Sequence, residues 1–139
     1  MRSATEGAGM GSLPEAQVTS QPRRVLVVED ELMIRMLLED MLGELGYTVS
    51  AAAARLGEAM QAVQDGEFDI AILDINLNGE PISPLADALA ARGIPFVFAT
   101  GYGEGDIPDG YRDRPALKKP FQLHNLKHTL DAALAAASH

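Results

Sequence analysis

Three short apolar runs in this chain each stop on a polar side chain. Val25-Leu26-Val27-Val28 leads into Glu29-Asp30, Ile70-Ala71-Ile72-Leu73 into Asp74, and Val97-Phe98-Ala99 into Thr100. A fourth run, Leu117-Lys118, leads into Lys119-Pro120. Runs of this length read as strands, and in an open parallel sheet the groups at the carboxyl ends of neighbouring strands converge on one crevice. The expected product is a pocket holding three carboxylates, a hydroxyl and an ammonium. Carboxylates gathered without a cation repel and raise one another's pKa. A divalent ion removes that conflict, and Mg²⁺, which takes oxygen ligands and keeps several waters, suits such a donor set. A carboxylate so placed can attack a phosphoryl group, provided the charge gathering on the transferring oxygens is neutralised.

Bringing these residues together requires regular alternation of strands and helices, and the chain reads that way. The first strand is expected over 24–29. The helix after it, over 31–45, would put Met33, Ile34, Leu37, Leu38, Met41 and Leu45 on one broad buried face and stop at Gly46. That spacing makes the methionines core packing rather than a cofactor site. A second strand over 48–51 and a helix over 55–65 burying Leu56, Ala59, Met60 and Val63 come next, with Gly66 at the helix end. The third strand, 68–74, is almost continuously apolar, as a central strand covered on both faces should be. Ser83 is a candidate N-cap, with Pro84 at the first helical position, Leu85, Ala86, Leu89 and Ala90 pointing inward and Gly93 closing the helix. Strands over 94–100 and 116–119 and a last helix over 123–137, striped by Leu123, Leu126, Leu130 and Leu134, complete an α/β, doubly wound, five-stranded parallel sheet. Strand alternation sends Lys118 and Lys119 to opposite faces.

One helix of that pattern is doubtful. Between Thr100 and Ala116 stand Gly101, Gly103, Gly105, Pro108, Gly110 and Pro115. Each Gly or Pro inside a helix costs ~1 to 3 kcal/mol relative to Ala. The fourth helix is therefore expected to be short or disordered, and the segment is either an ordinary surface loop or a mobile switch beside the pocket.

Composition narrows the function. At 139 residues the chain fits one domain without a separate output module, expected over 23–139 behind a disordered tail over 1–22 rich in Gly, Ser, Thr, Glu and Pro. A net charge of −9 repels nucleic-acid phosphates and anionic membranes, so neither is expected as a partner. Cys is absent, which excludes disulfides, thiolate metal sites and a cysteine nucleophile. No apolar run approaches a membrane span and no signal peptide is evident, so a cytoplasmic protein is expected. His124 and His128 stand four apart, yet no third ligand accompanies them, and a solvated helix face is the reading taken.

The acidic pair, the strand-end aspartate, the threonine and the Lys-Pro pair, in that order, resemble the receiver domain of bacterial two-component response regulators over residues 24–136. The resemblance implies a flavodoxin-like receiver fold. It makes Asp74 the phosphorylated aspartate, Glu29 and Asp30 the acidic pair that holds Mg²⁺ with Asp74, and Asn76 the donor of a backbone carbonyl to the ion. It makes Thr100 the switch hydroxyl and Lys119 the phosphate-facing lysine, aimed by a cis Lys119-Pro120 peptide. Pro95-Phe96-Val97-Phe98-Ala99-Thr100-Gly101-Tyr102 further resembles an atypical Phe-Ala-Thr-Gly-Tyr subfamily found beside HWE-type histidine kinases. The function this resemblance implies is that of a monomeric phosphoacceptor that catalyses only its own phosphorylation and dephosphorylation. Its partners would be a histidine kinase and another regulator or phosphotransfer protein, and its output contact, phosphorelay or a phosphate sink. The alternative is a degenerate receiver that binds proteins without phosphorylation.

Duller roles exist for each residue taken singly. Asp30 could simply cap the first helix, Asp74 end a buried strand, Thr100 be a β-branched strand residue and Lys119 a solvated charge. A phosphohydrolase would want a second Asp two residues after the nucleophile, where Asn76 stands, and a nucleotide carrier would not put Glu29-Asp30-Glu31 after its first strand. The chain also departs from the common receiver pattern. Asn78 stands where most receivers have Pro, and Ala116 where they have a switch aromatic, for which Tyr102 could substitute.

Overall fold

The apolar runs do form the strands of one sheet. A computed structural model of the chain describes residues 22–101 and 107–137. The elements are β1 (Arg24–Val28), α1 (Leu32–Glu44), β2 (Thr48–Ala53), α2 (Leu56–Asp65), β3 (Ile70–Asp74), α3 (Ser83–Ala91), β4 (Phe96–Thr100), β5 (Ala116–Lys118) and α4 (Leu123–Ala137). The strands lie in the order β2-β1-β3-β4-β5, all parallel, so the order reverses between β1 and β3. A crevice opens at such a reversal, outside the carboxyl ends of the strands.

Alternation divides each strand between two cores. Leu26, Val28, Leu73, Phe96 and Phe98 face Ala59 and Val63 of α2 and Leu85 and Leu89 of α3. Val25, Val27, Ile70, Ile72 and Val97 face Leu38 and Leu42 of α1 and Leu126 and Leu130 of α4. β3 and β4 are buried along their whole length, which is why they read as unbroken apolar runs.

The buried face of α1 differs from the expectation. Leu38, Met41 and Leu42 are buried and Leu45 packs on them, whereas Met33 is 83% and Leu37 45% exposed. Leu32, Met33, Ile34, Met36, Leu37, Leu38, Met41 and Leu42 surround nearly the whole helix, so periodicity admits several faces. The sheet selects the stripe at i, i+3, i+4 and i+7. Met41 is packing as expected; Met33 and Met36 are not. In α2, Ala59 and Val63 are buried and Leu56 and Met60 only partly. In α4, Leu126, Thr129, Leu130 and Ala133 are buried while Leu123 stays 37% exposed.

Helix ends also shift. The N-cap of α3 is Ile82 rather than Ser83, which lies inside the first turn with Pro84. The Ile82 carbonyl accepts the Leu85 and Ala86 N–H groups at 3.1 Å, and Pro84 has no N–H to place there. Gly46 and Gly93 follow their helices at φ 89° and 71°, the left-handed turn that ends a helix most cheaply at Gly.

Between β4 and β5 the described residues, Gly101 and 107–115, form turns and no helix. The Tyr111 N–H donates to the Pro108 carbonyl at 3.1 Å and the Arg114 N–H to the Tyr111 carbonyl at 3.0 Å. Tyr102, Gly103 and Gly105 lie outside the described residues, as does the expected tail apart from Pro22.

Candidate functional site: an acidic cleft at the strand ends

Glu29 sits one residue beyond β1, with its N–H donating to the Ala53 carbonyl at 3.0 Å so that the ladder with β2 runs on. The side chain turns inward and is wholly buried. Its Oε2 accepts the Glu31 N–H at 3.1 Å. Its Oε1 lies 3.1 Å from Lys119 Nζ, an ion pair without the alignment of a hydrogen bond.

Asp74, the last residue of β3, is 4% exposed. Its Oδ1 accepts the Asn76 N–H at 3.1 Å and lies 3.4 Å from Lys119 Nζ. One ammonium thus bridges two buried carboxylates. Lys119 follows β5, and its N–H donates to the Thr100 carbonyl at 2.9 Å, which ties the lysine backbone to the end of β4. The Lys119-Pro120 peptide is cis. Lys118, by contrast, is exposed.

Asp30 is half-buried and does not cap α1, whose N-cap is Glu31 with no side-chain cap. Glu29, Asp30 and Asp74 each offer a carboxylate oxygen within 4.8 Å of the other two. Thr100 closes β4 and is 4% exposed. Asp30, Asp74, Asn76, Thr100 and Lys119 line one open cleft of about 830 Å³, with Glu29 beneath them, and Ile34, Leu37, Pro120 and Phe121 make its apolar wall. All six residues singled out from the sequence therefore meet in one place.

The turn after β3 contains what the sequence left unread. The Glu80 N–H donates to the Leu77 carbonyl at 2.9 Å, and Asn78 and Gly79 take φ of 52° and 80° between them, as in a type I′ turn. Proline cannot adopt a positive φ, so Asn78 in place of the usual Pro follows from the turn. Glu80 Oε1 then accepts the Leu56 N–H at 2.9 Å, fastening the turn to the start of α2. The Asn-Gly pair signals the turn, but nothing local signals Glu80. The Asn76 carbonyl accepts the Asn78 N–H at 3.0 Å and keeps a second lone pair for another partner.

The electrostatics are those of carboxylates out of water. Burial pushes Glu29 up to about 7, reinforced by Asp74, with the Glu31 N–H and Lys119 opposing. Burial likewise raises Asp74, against the pull of Lys119. Burial works against the Lys119 ammonium, but Glu29 and Asp74 overcome it and hold its pKa above the ordinary value. Without a cation, the site holds more negative charge than one lysine settles. An all-oxygen donor set with an under-satisfied buried carboxylate oxygen fits a hard divalent ion.

An open parallel α/β sheet with an acidic, cation-ready cleft at its switch point, and a lysine reaching into it, defines a class of phosphate-handling domain. The chain belongs to the response regulator receiver domain family, whose pattern matches residues 25–131. Receiver domains of two-component systems are phosphoacceptors rather than enzymes acting on a separate substrate, and they generally bind Mg²⁺ at an acidic pocket. The chain is 33% identical over 118 residues to the transcriptional regulatory protein PdtaR of Mycobacterium tuberculosis, covering 82% of this chain and 58% of that protein. It thus spans little more than half of that relative. It resembles the solution structure of SdrG from Sphingomonas melonis Fr1 with a TM-score of 0.71 and 44% identity, over 85% of this chain and 98% of that one. It also resembles the BeF3-activated conformation of SdrG from Pseudomonas melonis Fr1, with a TM-score of 0.71 and 46% identity, over 80% and 95% of the two chains. No helix among the described residues is long and apolar enough to cross a membrane.

Proposed function

We propose that this protein takes a phosphoryl group from a histidine kinase onto Asp74 in a Mg²⁺-dependent reaction, and then acts by relay or as a phosphate sink. The observation that carries the proposal is the Lys119 ammonium set 3.1 Å from Glu29 and 3.4 Å from Asp74, with Asp30 completing the acidic triad. Asp30, Asp74 and the Asn76 carbonyl, backed by Glu29, would hold Mg²⁺. When bound, the ion neutralises charge on the phosphoryl oxygens.

Asp74 Oδ1 is engaged by the Asn76 N–H and Lys119, which leaves Oδ2 to make the new bond. As the Oδ2–P bond forms, the P–N bond to the donor imidazole breaks and its electron pair stays on that nitrogen. Lys119 supplies fixed positive charge to the transferring oxygens, and the Thr100 hydroxyl donates to one of them once the group has arrived. Phosphorylation biases the conformational equilibrium that partners read.

The Phe-Ala-Thr-Gly-Tyr segment points to an HWE-type kinase as the donor. A net charge of −9 supports a monomer that avoids nucleic acid and anionic membranes. In a mixture of the cognate kinase, a second regulator and this protein, phosphate on the second regulator should fall when this protein is added. Asp74→Asn should not cause that fall. If both forms act equally, the protein is a degenerate receiver that binds without phosphorylation.

A further inference from the structure

We infer that Glu80 is a positioning residue for the ion: its carboxylate, seated on the first N–H of α2, clamps the turn that presents the Asn76 carbonyl to the cleft. The inference deepens the phosphoacceptor reading and rests on the Mg²⁺ site in it. Asn76, Asn78 and Gly79 line the cleft and Glu80 does not. Any influence of Glu80 on the ion therefore passes through the turn.

The donor set has two sides. Glu29 and Asp30 follow β1, while Asp74 ends β3 and Asn76 lies just beyond it. The sheet holds β1 against β3 up to the Val28–Leu73 pair. Past that pair, the Glu29 N–H donates to the Ala53 carbonyl at the end of β2, and α2 starts soon after at Leu56. On the other side the Asn76 N–H donates to Asp74 Oδ1, the Asn76 carbonyl accepts the Asn78 N–H, and the Leu77 carbonyl accepts the Glu80 N–H. These bonds shape the turn without anchoring it. Among the described residues, the 2.9 Å bond from the Leu56 N–H to Glu80 Oε1 is the one hydrogen bond that joins residues 76–80 to an element other than β3. It closes a ring of contacts that runs from Glu29 through β2 and α2 to Asn76, so both sides of the donor set keep one spacing.

The position suits a carboxylate. The first N–H groups of a helix have no partners inside it, and the helix dipole favours negative charge there. Glu58 of α2 takes the Ala54 and Arg55 N–H groups at 3.0 and 3.2 Å, which leaves the Leu56 N–H to Glu80. Glu80 is half-buried, so water competes less for the bond. Asn78 and Gly79, both at positive φ, make a turn with no proline to stiffen it, and an outside tether has the more to hold. Mg²⁺ demands near-ideal octahedral placement of its ligands, so a loose Asn76 carbonyl weakens binding.

The test is calorimetric titration of the full chain and three variants with Mg²⁺, beside urea unfolding of each. Glu80→Ala removes the tether and should weaken Mg²⁺ binding by roughly 3- to 10-fold, short of the ~10- to 100-fold lost with a group that touches a metal ligand directly. Glu80→Gln loses the same charge but keeps an acceptor oxygen, and should recover most of that affinity. Glu58→Ala strips two other N–H partners from the same helix end and should lower stability while leaving Mg²⁺ affinity unchanged. Equal losses in the two Glu80 variants would make the effect one of charge, and a loss in Glu58→Ala as large as that in Glu80→Ala would make it one of helix stability; either result overturns the inference. A wild type that binds no Mg²⁺ would remove the phosphoacceptor reading along with it, whereas normal wild-type binding with an unaffected Glu80→Ala removes the clamp alone.

Discussion

Glu29→Gln is the substitution that most directly exposes the electrostatics of the cleft. Glu29 is wholly buried, and burial raises its carboxyl from 4.5 to about 7. An acid whose folded pKa is raised favours folding while it is protonated. That contribution is complete below the unfolded value near 4.5 and is lost as pH climbs to about 7, after which nothing more is lost. At about 1.4 kcal/mol per pH unit the gap, which already contains the pull of Lys119, amounts to ~3 kcal/mol at most. Urea unfolding in EDTA at several pH values between 5 and 8 reads this quantity. The wild type should lose stability relative to Glu29→Gln across that window, leaving the variant the more stable protein at pH 8. Parallel pH profiles for the two proteins would refute the reasoning, because the buried charge would then carry no cost. Asp74 shares Lys119 with Glu29 and titrates with it, so the difference between the two proteins reads the pair, while groups remote from the cleft cancel.

The same geometry predicts further outcomes. Below pH 7, Mg²⁺ must displace a proton from the cleft, so its apparent affinity by calorimetry should rise with pH up to ~10-fold per unit and flatten above 7, and Glu29→Gln should abolish most of that slope. Leu42→Ala, at a wholly buried position of α1, should cost ~2 to 5 kcal/mol by chemical denaturation, while Met33→Ala, 83% exposed, should stay within about 0.5 kcal/mol. Restoring the proline usual in receivers, Asn78→Pro, should destabilise by ~3 kcal/mol or more in a thermal melt, because Asn78 sits at φ 52°.

Much of this protein can be read from its residues because its local signals agree with its fold. The central strands are apolar throughout, Gly46 and Gly93 end their helices, and Glu29, Asp30, Asp74, Asn76, Thr100 and Lys119 converge as strand ends of a parallel sheet must. The buried face of α1 is hidden because a helix apolar on nearly every side gives no preferred direction, and only the sheet beneath it chooses Leu38, Met41 and Leu42. The Ile82 cap is not legible because Ser83 has the better capping chemistry, while the incoming chain sets the first turn. Asn78 reads as a departure from the receiver pattern, and only its positive φ explains it. Glu80 on Leu56 and Tyr111 on Asp87 each join residues 24 apart in sequence, and no spacing rule reaches contacts made only by folding.

The most direct test of the central claim is intact-mass measurement after incubation with Mg²⁺ and a small phosphodonor such as acetyl phosphate, with peptide mapping of the labelled residue. The wild type should gain one phosphoryl group on Asp74, omission of Mg²⁺ should reduce the gain severely, and Asp74→Asn should show none. Persistent labelling of the Asp74→Asn protein, or a label on any other residue, would contradict the assignment of this cleft.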